Sequence, residues 1–183
     1  REAKKGGGSI SGNVSGDAPL VGAWVLAFGK GNPFANHQTF AVSDENGAYK
    51  ISNMPVGMYV LAAYANGYIP EIYDDATSLL DVDLVTVNNN DVTGKDFVLV
   101  AGGTIAGSVL TESGEPIKGA KVTAHSKGDF LPGVSVPGLA NFTQTAFADE
   151  NGTYEIQGLA TGEYKVSAQI QLSGFYDVKF FDG

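Results

Sequence analysis

The sequence predicts an all-β chain folded as two tandem Ig-like β-sandwich domains, and three observations carry that expectation. Apolar residues alternate with polar ones at a period of two almost throughout, and no stretch shows the period of a helix of ordinary length. The composition, with 25 Gly, 8 Tyr and 10 Phe in 183 residues, favours strands joined by tight turns. Asp44-Glu45-Asn46-Gly47-Ala48-Tyr49 returns as Asp149-Glu150-Asn151-Gly152-Thr153-Tyr154, and Gly57-Met58-Tyr59 returns as Gly162-Glu163-Tyr164, each at an offset of 105 residues. A repeat of about a hundred residues in a chain of this length means two domains. The division expected is a flexible lead-in at 1–8, a first sandwich at 9–100 and a second at 101–183, incomplete at its C-terminal end.

Taken in order, Lys4, Lys5 and three glycines make the lead-in, and order is expected from Ser9. Ile10, Gly12 and Val14 alternate with Ser9, Ser11 and Asn13, and Ile105, Gly107 and Val109 repeat the pattern, so each domain opens on a strand. A turn carrying Pro19 or Pro116 leads to a second strand, Gly22 to Phe28, matched by Gly119 to His125. The repeated Asp-Glu-Asn-Gly stretch reads as a hairpin: Asp and Asn tolerate tight turns and the glycine supplies positive φ. It is expected to fix the register of the strands on either side, with Tyr49 and Ile51 alternating with Lys50. A long strand follows at Tyr59 to Ala65 and Tyr164 to Ile170. The offset is 97 at Gly22 and Gly119, so eight residues are inserted between His125 and Thr143, where a surface loop absorbs them. The first copy continues through strands at Leu84 to Val87 and Asp96 to Val100; the second copy stops at Phe181-Asp182-Gly183. A regular repeat predicts further sequence downstream, and the alternative is a neighbouring chain that completes the sheet.

The net charge of −9 argues against a nucleic-acid backbone or an anionic membrane as partner, because both are bound through clustered Lys and Arg. Without cysteine there is neither a disulfide framework nor thiolate chemistry. No apolar run is long enough to cross a membrane, and the opening Arg1-Glu2-Ala3 reads as part of something longer.

The order Gly-Gly-x-Ile-x-Gly-x-Val, Pro and Gly before an Ala-x-Val strand, Asp-x-Asn-Gly-x-Tyr and then Gly-x-Tyr resembles the carboxypeptidase regulatory-like domain. The resemblance implies a transthyretin-like (prealbumin-like) sandwich, related in shape to the B repeats of bacterial collagen adhesins. The run Gly67 to Ala76, leading to Asp96-Phe97-x-Leu99 and a fresh Gly102-Gly103, is similar to the linked form in large secreted or surface proteins of bacteria. It therefore implies an extracellular or cell-surface setting, a non-catalytic role beside other domains of the same polypeptide, and a protein or polysaccharide as possible ligand. The Lys-to-Asn isopeptide cross-link of the adhesin relatives finds no matching set of Lys, Asn and Glu; Lys95 and Lys121 have no counterpart in the other copy. Matches to the glycosylation pattern at Asn13, Asn141 and Asn151 read as chance if the source is bacterial.

His37 and His125 lack a second ligand at metal spacing and are expected to face solvent. No Gly-x-Ser-x-Gly elbow is present, and an enzyme would require carboxylates that converge only in the fold. Asp74, Asp75, Asp81 and Asp83, with Asp91 nearby, offer the oxygen ligands a calcium ion prefers, but their spacing fits no EF-hand and a solvated acidic edge that discourages aggregation is the preferred reading. No other cofactor is indicated.

The comparison of the two copies is the most informative. Ala23, Val25 and Ala27 match Ala120, Val122 and Ala124, which makes that face the core in both. The opposite face holds Trp24, Leu26 and Phe28 in the first copy but Lys121, Thr123 and His125 in the second; Met58, Val60 and Tyr64 stand where Glu163, Lys165 and Gln169 do. An apolar outer face on one twin expects a cover, and Trp24, Leu26, Phe28, Val60 and Tyr64 are the predicted ligand or interdomain surface. The functional expectation is a non-catalytic spacer or protein-interaction module, with a carbohydrate-binding module stacking sugars on Trp24, Phe28 and Tyr64 as the alternative.

Overall fold

The computed structural model describes residues 7–29, 39–74, 82–126, 145–172 and 175–181, with side chains up to residue 170. The described residues are strands and turns without a helix, and the expected all-β class holds. The chain divides into two compact units, Arg1–Ala101 and Gly102–Gly183.

In the first unit the strands are β1 (Gly8–Ser15), β2 (Trp24–Gly29), β3 (Thr39–Val42), β4 (Ala48–Met54), β5 (Gly57–Tyr64), β6 (Glu71–Ile72), β7 (Val85–Val87), β8 (Asp91–Val92) and β9 (Phe97–Val98). One sheet has β1 between antiparallel β4 and parallel β8, with β9 continuing in parallel beside the far end of β1. The other runs β3-β2-β5-β6, with β7 also on β5. Alternate residues turn inward: Ile10, Val14 and Ile51 from the first sheet pack with Val25, Leu61 and Val87 from the second. Phe97 fills the space beside Tyr49 and Tyr73, its ring edge-on to Tyr73 at 5.6 Å between centroids.

The second unit has β10 (Gly103–Ser108), β11 (Lys121–Ser126), β12 (Thr145–Phe147), β13 (Thr153–Leu159), β14 (Tyr164–Leu172) and β15 (Phe175–Phe181). Here β10 pairs with β13, and the second sheet runs β12-β11-β14-β15. Val109, Val122, Ile156 and Leu159 centre a smaller core. Seven residues of β15 pair with β14, where β6 contributes two pairs to β5.

The repeated Asp-Glu-Asn-Gly stretch is not a hairpin within one sheet. Gly47 N–H donates to the Asp44 carbonyl and Asp44 N–H to the Ala48 carbonyl, closing a tight turn with Gly47 at φ +76°. Beyond it the arms part: β3 pairs with β2, whereas β4 pairs with β1. The turn carries the chain from one sheet to the other and is tied to both, since Val14 N–H donates to the Gly47 carbonyl and Ser43 N–H to the Ala23 carbonyl. Val109 with Gly152, and Ala148 with Ala120, make the same bonds in the second unit. The register it was expected to impose on its flanking strands is instead set separately in each sheet.

Candidate interaction surface

Adjacent strands place the predicted residues of the first unit on one face. Across β2 and β5, Trp24 lies opposite Tyr64, Leu26 opposite Ala62 and Phe28 opposite Val60. Period-two geometry then puts all six on the side away from the core residues Val25 and Ala27. The face extends further than the sequence reading had it. Phe40 pairs with Leu26 and Val42 with Trp24 across β3, and Ile72 pairs with Ala62 across β6.

The middle and the rim of this face differ. Leu26, Ala62 and Ile72 are buried, while Trp24, Phe40, Val42 and Met58 are 43–54% exposed. Leu26, predicted as a contact residue, is therefore a floor beneath the surface, between Phe40 on β3 and Ala62 on β5. Phe28, Val60 and Tyr64 are half-buried, and burial raises the Tyr64 phenol above its ordinary range. The Trp24 and Phe40 rings touch at 4.9 Å between centroids, tilted by 30°. Phe40 and Val42 went unnamed in the sequence reading although they were legible as period-two residues just before the repeated turn; the short length of β3 hid them.

On β11 and β14 the matching face of the second unit is polar. Lys121, Thr123 and His125 stand opposite Gln169, Ser167 and Lys165, and the Thr123 and Thr145 hydroxyls lie 3.3 Å apart. His125 is exposed, with Nε2 2.8 Å from Ser167 Oγ. Phe147, at the position of Val42, is the one large apolar side chain that β11, β12 and β14 bring to this face, and β15 sets Phe180 level with Ser167 and Val178 level with Gln169.

The other candidates do not assemble into a site. Asp75, Asp81 and His37 lie outside the described residues. Asp74 occupies a turn after β6 at φ +63°, and Asp83 precedes β7. Asp91 is committed within the sheet, accepting from Ser9 Oγ at 2.6 Å with Lys50 Nζ at 3.9 Å. Among the described residues no three His, Asp or Glu side chains converge as metal ligands, and no helix is long and apolar enough to cross a membrane.

Residues 104–180 match the family model described as the carboxypeptidase regulatory-like domain. Among solved structures, the chain is similar to the Bacillus anthracis TIE protein at 16% identity and a TM-score of 0.38, covering 97% of this chain and 31% of that one. It is similar to the streptococcal ancillary pilin at 14% identity and a TM-score of 0.40, covering 99% and 60%. The shaft pilin of Lactobacillus rhamnosus GG is similar at 10% identity and a TM-score of 0.34, covering 96% and 93%. The chain thus spans under a third of the first of these and well over half of the second. Comparison with curated protein sequences finds no match.

Proposed function

From the match of residues 104–180 to the carboxypeptidase regulatory-like family model, we propose that the chain is a non-catalytic structural and interaction module of a larger secreted or cell-surface bacterial protein. In this reading the two units are tandem copies of one sandwich, 9–100 and 101–183, whose partners are neighbouring domains of the same polypeptide or a protein ligand. The observation that supports it is the asymmetry, at matching positions away from β15, between two faces built on the same register. Where the second unit presents Lys121, Thr145 and Glu163, the first presents Trp24, Phe40 and Met58, all partly exposed. A sandwich gains nothing in solubility from such a rim, whereas a partner that covers it gains about 25 cal/mol for each Å² of apolar surface removed from water.

A carbohydrate platform is the second reading, favoured by the Trp24–Phe40 pair. The aliphatic flank of Val42 and Met58 favours a protein contact, since it offers no hydrogen bond to sugar hydroxyls.

Trp24 is the only tryptophan and reports on the face directly. Acrylamide is expected to quench its fluorescence, and a panel of soluble oligosaccharides to leave that quenching unchanged. The double replacement Trp24→Ser and Phe40→Ser is expected to cost below about 2 kcal/mol, as fits half-exposed rings. Protection by an oligosaccharide would put the sugar reading first. A cost of about 3–5 kcal/mol would show the rings to be internal core and remove the contact surface altogether.

A further inference from the structure

Asn-Gly occurs at 46–47, 66–67 and 151–152, and the fold gives the three copies two different settings. The dipeptide is chemically weak, because asparagine is heat-labile and a glycine leaves its own nitrogen open to approach. At the two corners between sheets the glycine closes the turn: Gly47 N–H donates to the Asp44 carbonyl and Gly152 N–H to the Asp149 carbonyl, each at 3.0 Å. The neighbouring groups are pinned as well. Asn46 N–H and Asn151 N–H donate to Oδ1 of Asp44 and Asp149 at 2.8 Å, and the Gly47 and Gly152 carbonyls accept from Val14 and Val109. Both glycines are buried.

The third copy sits one place earlier in its turn. After β5, Tyr68 N–H donates to the Ala65 carbonyl at 3.1 Å, which makes Asn66 and Gly67 the two central residues. Gly67 stands at φ +81° while Asn66 is not at positive φ, the pattern of a type II turn. The amide between them takes no part in the closing bond, and Gly67 N–H donates to no described residue. Asn66 is exposed and Gly67 half-buried. Rotating the central peptide plane converts a type II turn to a type I turn with the closing bond kept, so the Gly67 nitrogen can turn toward the Asn66 side chain without unfolding.

We propose that Asn66 is a self-modification site, converting in the folded protein to aspartate and isoaspartate through a cyclic imide, while the corner turns hold Asn46 and Asn151 inert. Hydroxide removes the Gly67 amide proton and the nitrogen attacks Asn66 Cγ. The N–Cγ bond forms, the Cγ–Nδ2 bond breaks, and Nδ2 leaves as ammonia with a proton from water, which regenerates the hydroxide. Water then opens the imide. Attack at Cγ restores the ordinary backbone and leaves an aspartate side chain. Attack at the main-chain carbonyl carbon breaks its bond to the Gly67 nitrogen, and the chain then runs through Cβ and Cγ, one methylene longer. At 46 or 151 the same closure must first break the glycine's bond to the aspartate carbonyl.

The added methylene falls between β5 and two anchors. Tyr68 packs against the core and bridges to Ala101, and Ile69 N–H donates to the Val100 carbonyl at 2.8 Å. The isoaspartyl link shifts this pair against β5 and loosens it. The proposal is independent of the reading of the Trp24 face.

The test holds the folded 183-residue chain at mildly alkaline pH and physiological temperature, digests it at acidic pH and quantifies each Asn-Gly peptide by mass. Asn66 is expected to convert at least about tenfold faster than Asn46 or Asn151, the factor supplied by one hydrogen bond that must open. In urea the three rates are expected to converge. Enzymatic methylation of isoaspartate is expected to label position 66, and the Ile69 amide of that product to exchange hydrogen severalfold faster than in Asn66→Asp, which carries the charge without the methylene. Equal rates at the three sites of the folded chain overturn the proposal. So does faster conversion at either corner, and so does an Asn66 that stays intact over the time in which the urea-unfolded chain converts. An Ile69 amide no faster in the isoaspartyl product than in Asn66→Asp refutes the loosening.

Discussion

The Tyr49 hydroxyl donates a 2.6 Å hydrogen bond to the Lys95 carbonyl, which ties β4 to the segment between β8 and β9 across the closed edge of the first sandwich. Burial, with the nearby Asp96 carboxylate as a lesser cause, raises this phenol far above its ordinary range. Tyr49→Phe leaves the carbonyl without its donor and is expected to cost about 1–3 kcal/mol, read by denaturant melting. Tyr154→Phe removes no such bond and is expected to cost less. The pH dependence has a definite sign: the unfolded phenol ionises near its ordinary value of 10.0 while the folded one does not. Stability from this group is complete below that value and declines as the pH rises through it, and Tyr49→Phe should flatten the alkaline decline.

The glycines at positive φ divide into two kinds. Gly22 and Gly119 stand at φ +76° with open space where a side chain would go. At Gly47 and Gly152 an added carbon would lie 2.5 Å and 2.6 Å from the carbonyl oxygens of Val14 and Val109. Ala at position 22 or 119 is expected to cost about 1 kcal/mol, the strain of left-handed backbone alone. Val at 47 or 152 is expected to cost about 1–3 kcal/mol or more, because the corner between sheets must also move. Equal melting temperatures for the two kinds of variant would show that the close contact does not matter.

Asp149 heads the second copy of the turn and accepts from Thr153 Oγ1 at 2.7 Å, from Thr153 N–H at 2.9 Å and from Asn151 N–H at 2.8 Å. The Thr153 hydroxyl is the largest of the causes that lower its carboxyl below the ordinary range. The stabilisation belongs to the carboxylate form, so it is present above the unfolded value near 3.8 and lost as the pH falls through the lowered folded value. Thr153→Ala, which restores the residue found at position 48, is expected to raise the Asp149 value in a carboxyl titration followed by nuclear magnetic resonance. A titration midpoint that does not move would refute the hydroxyl's role.

For the acidic stretch, calcium is expected to leave the melting temperature unchanged, and a chelator likewise. Asp91 already serves Ser9 and Lys50, and Asp74 and Asp83 do not converge on a third carboxylate among the described residues. A clear rise on adding calcium would indicate an ion by mass action and make Asp74, Asp75, Asp81 and Asp83 the first residues to replace.

Alternation and turn chemistry are local properties, and they suffice for part of this protein. The inward row Ala23, Val25, Ala27, the buried Tyr49 and Ile51 around an exposed Lys50, and the left-handed Gly47 and Gly152 were all legible, because each depends on φ or on the period of one strand. Most of the outer face was legible by subtraction between the copies, from Trp24 against Lys121 to Tyr64 against Gln169. What neighbouring strands do to one another is not written in either strand alone. A tight Asp-Glu-Asn-Gly turn serves a hairpin and a corner equally, and only the pairing of β3 with β2 and of β4 with β1 made it a corner. Leu26 became a floor rather than a contact because β3 and β5, distant in sequence, pair on either side of it. The same nonlocal pairing decided that Gly12 lies beneath a backbone while Gly107 lies beneath a tyrosine, although the two strands read almost alike.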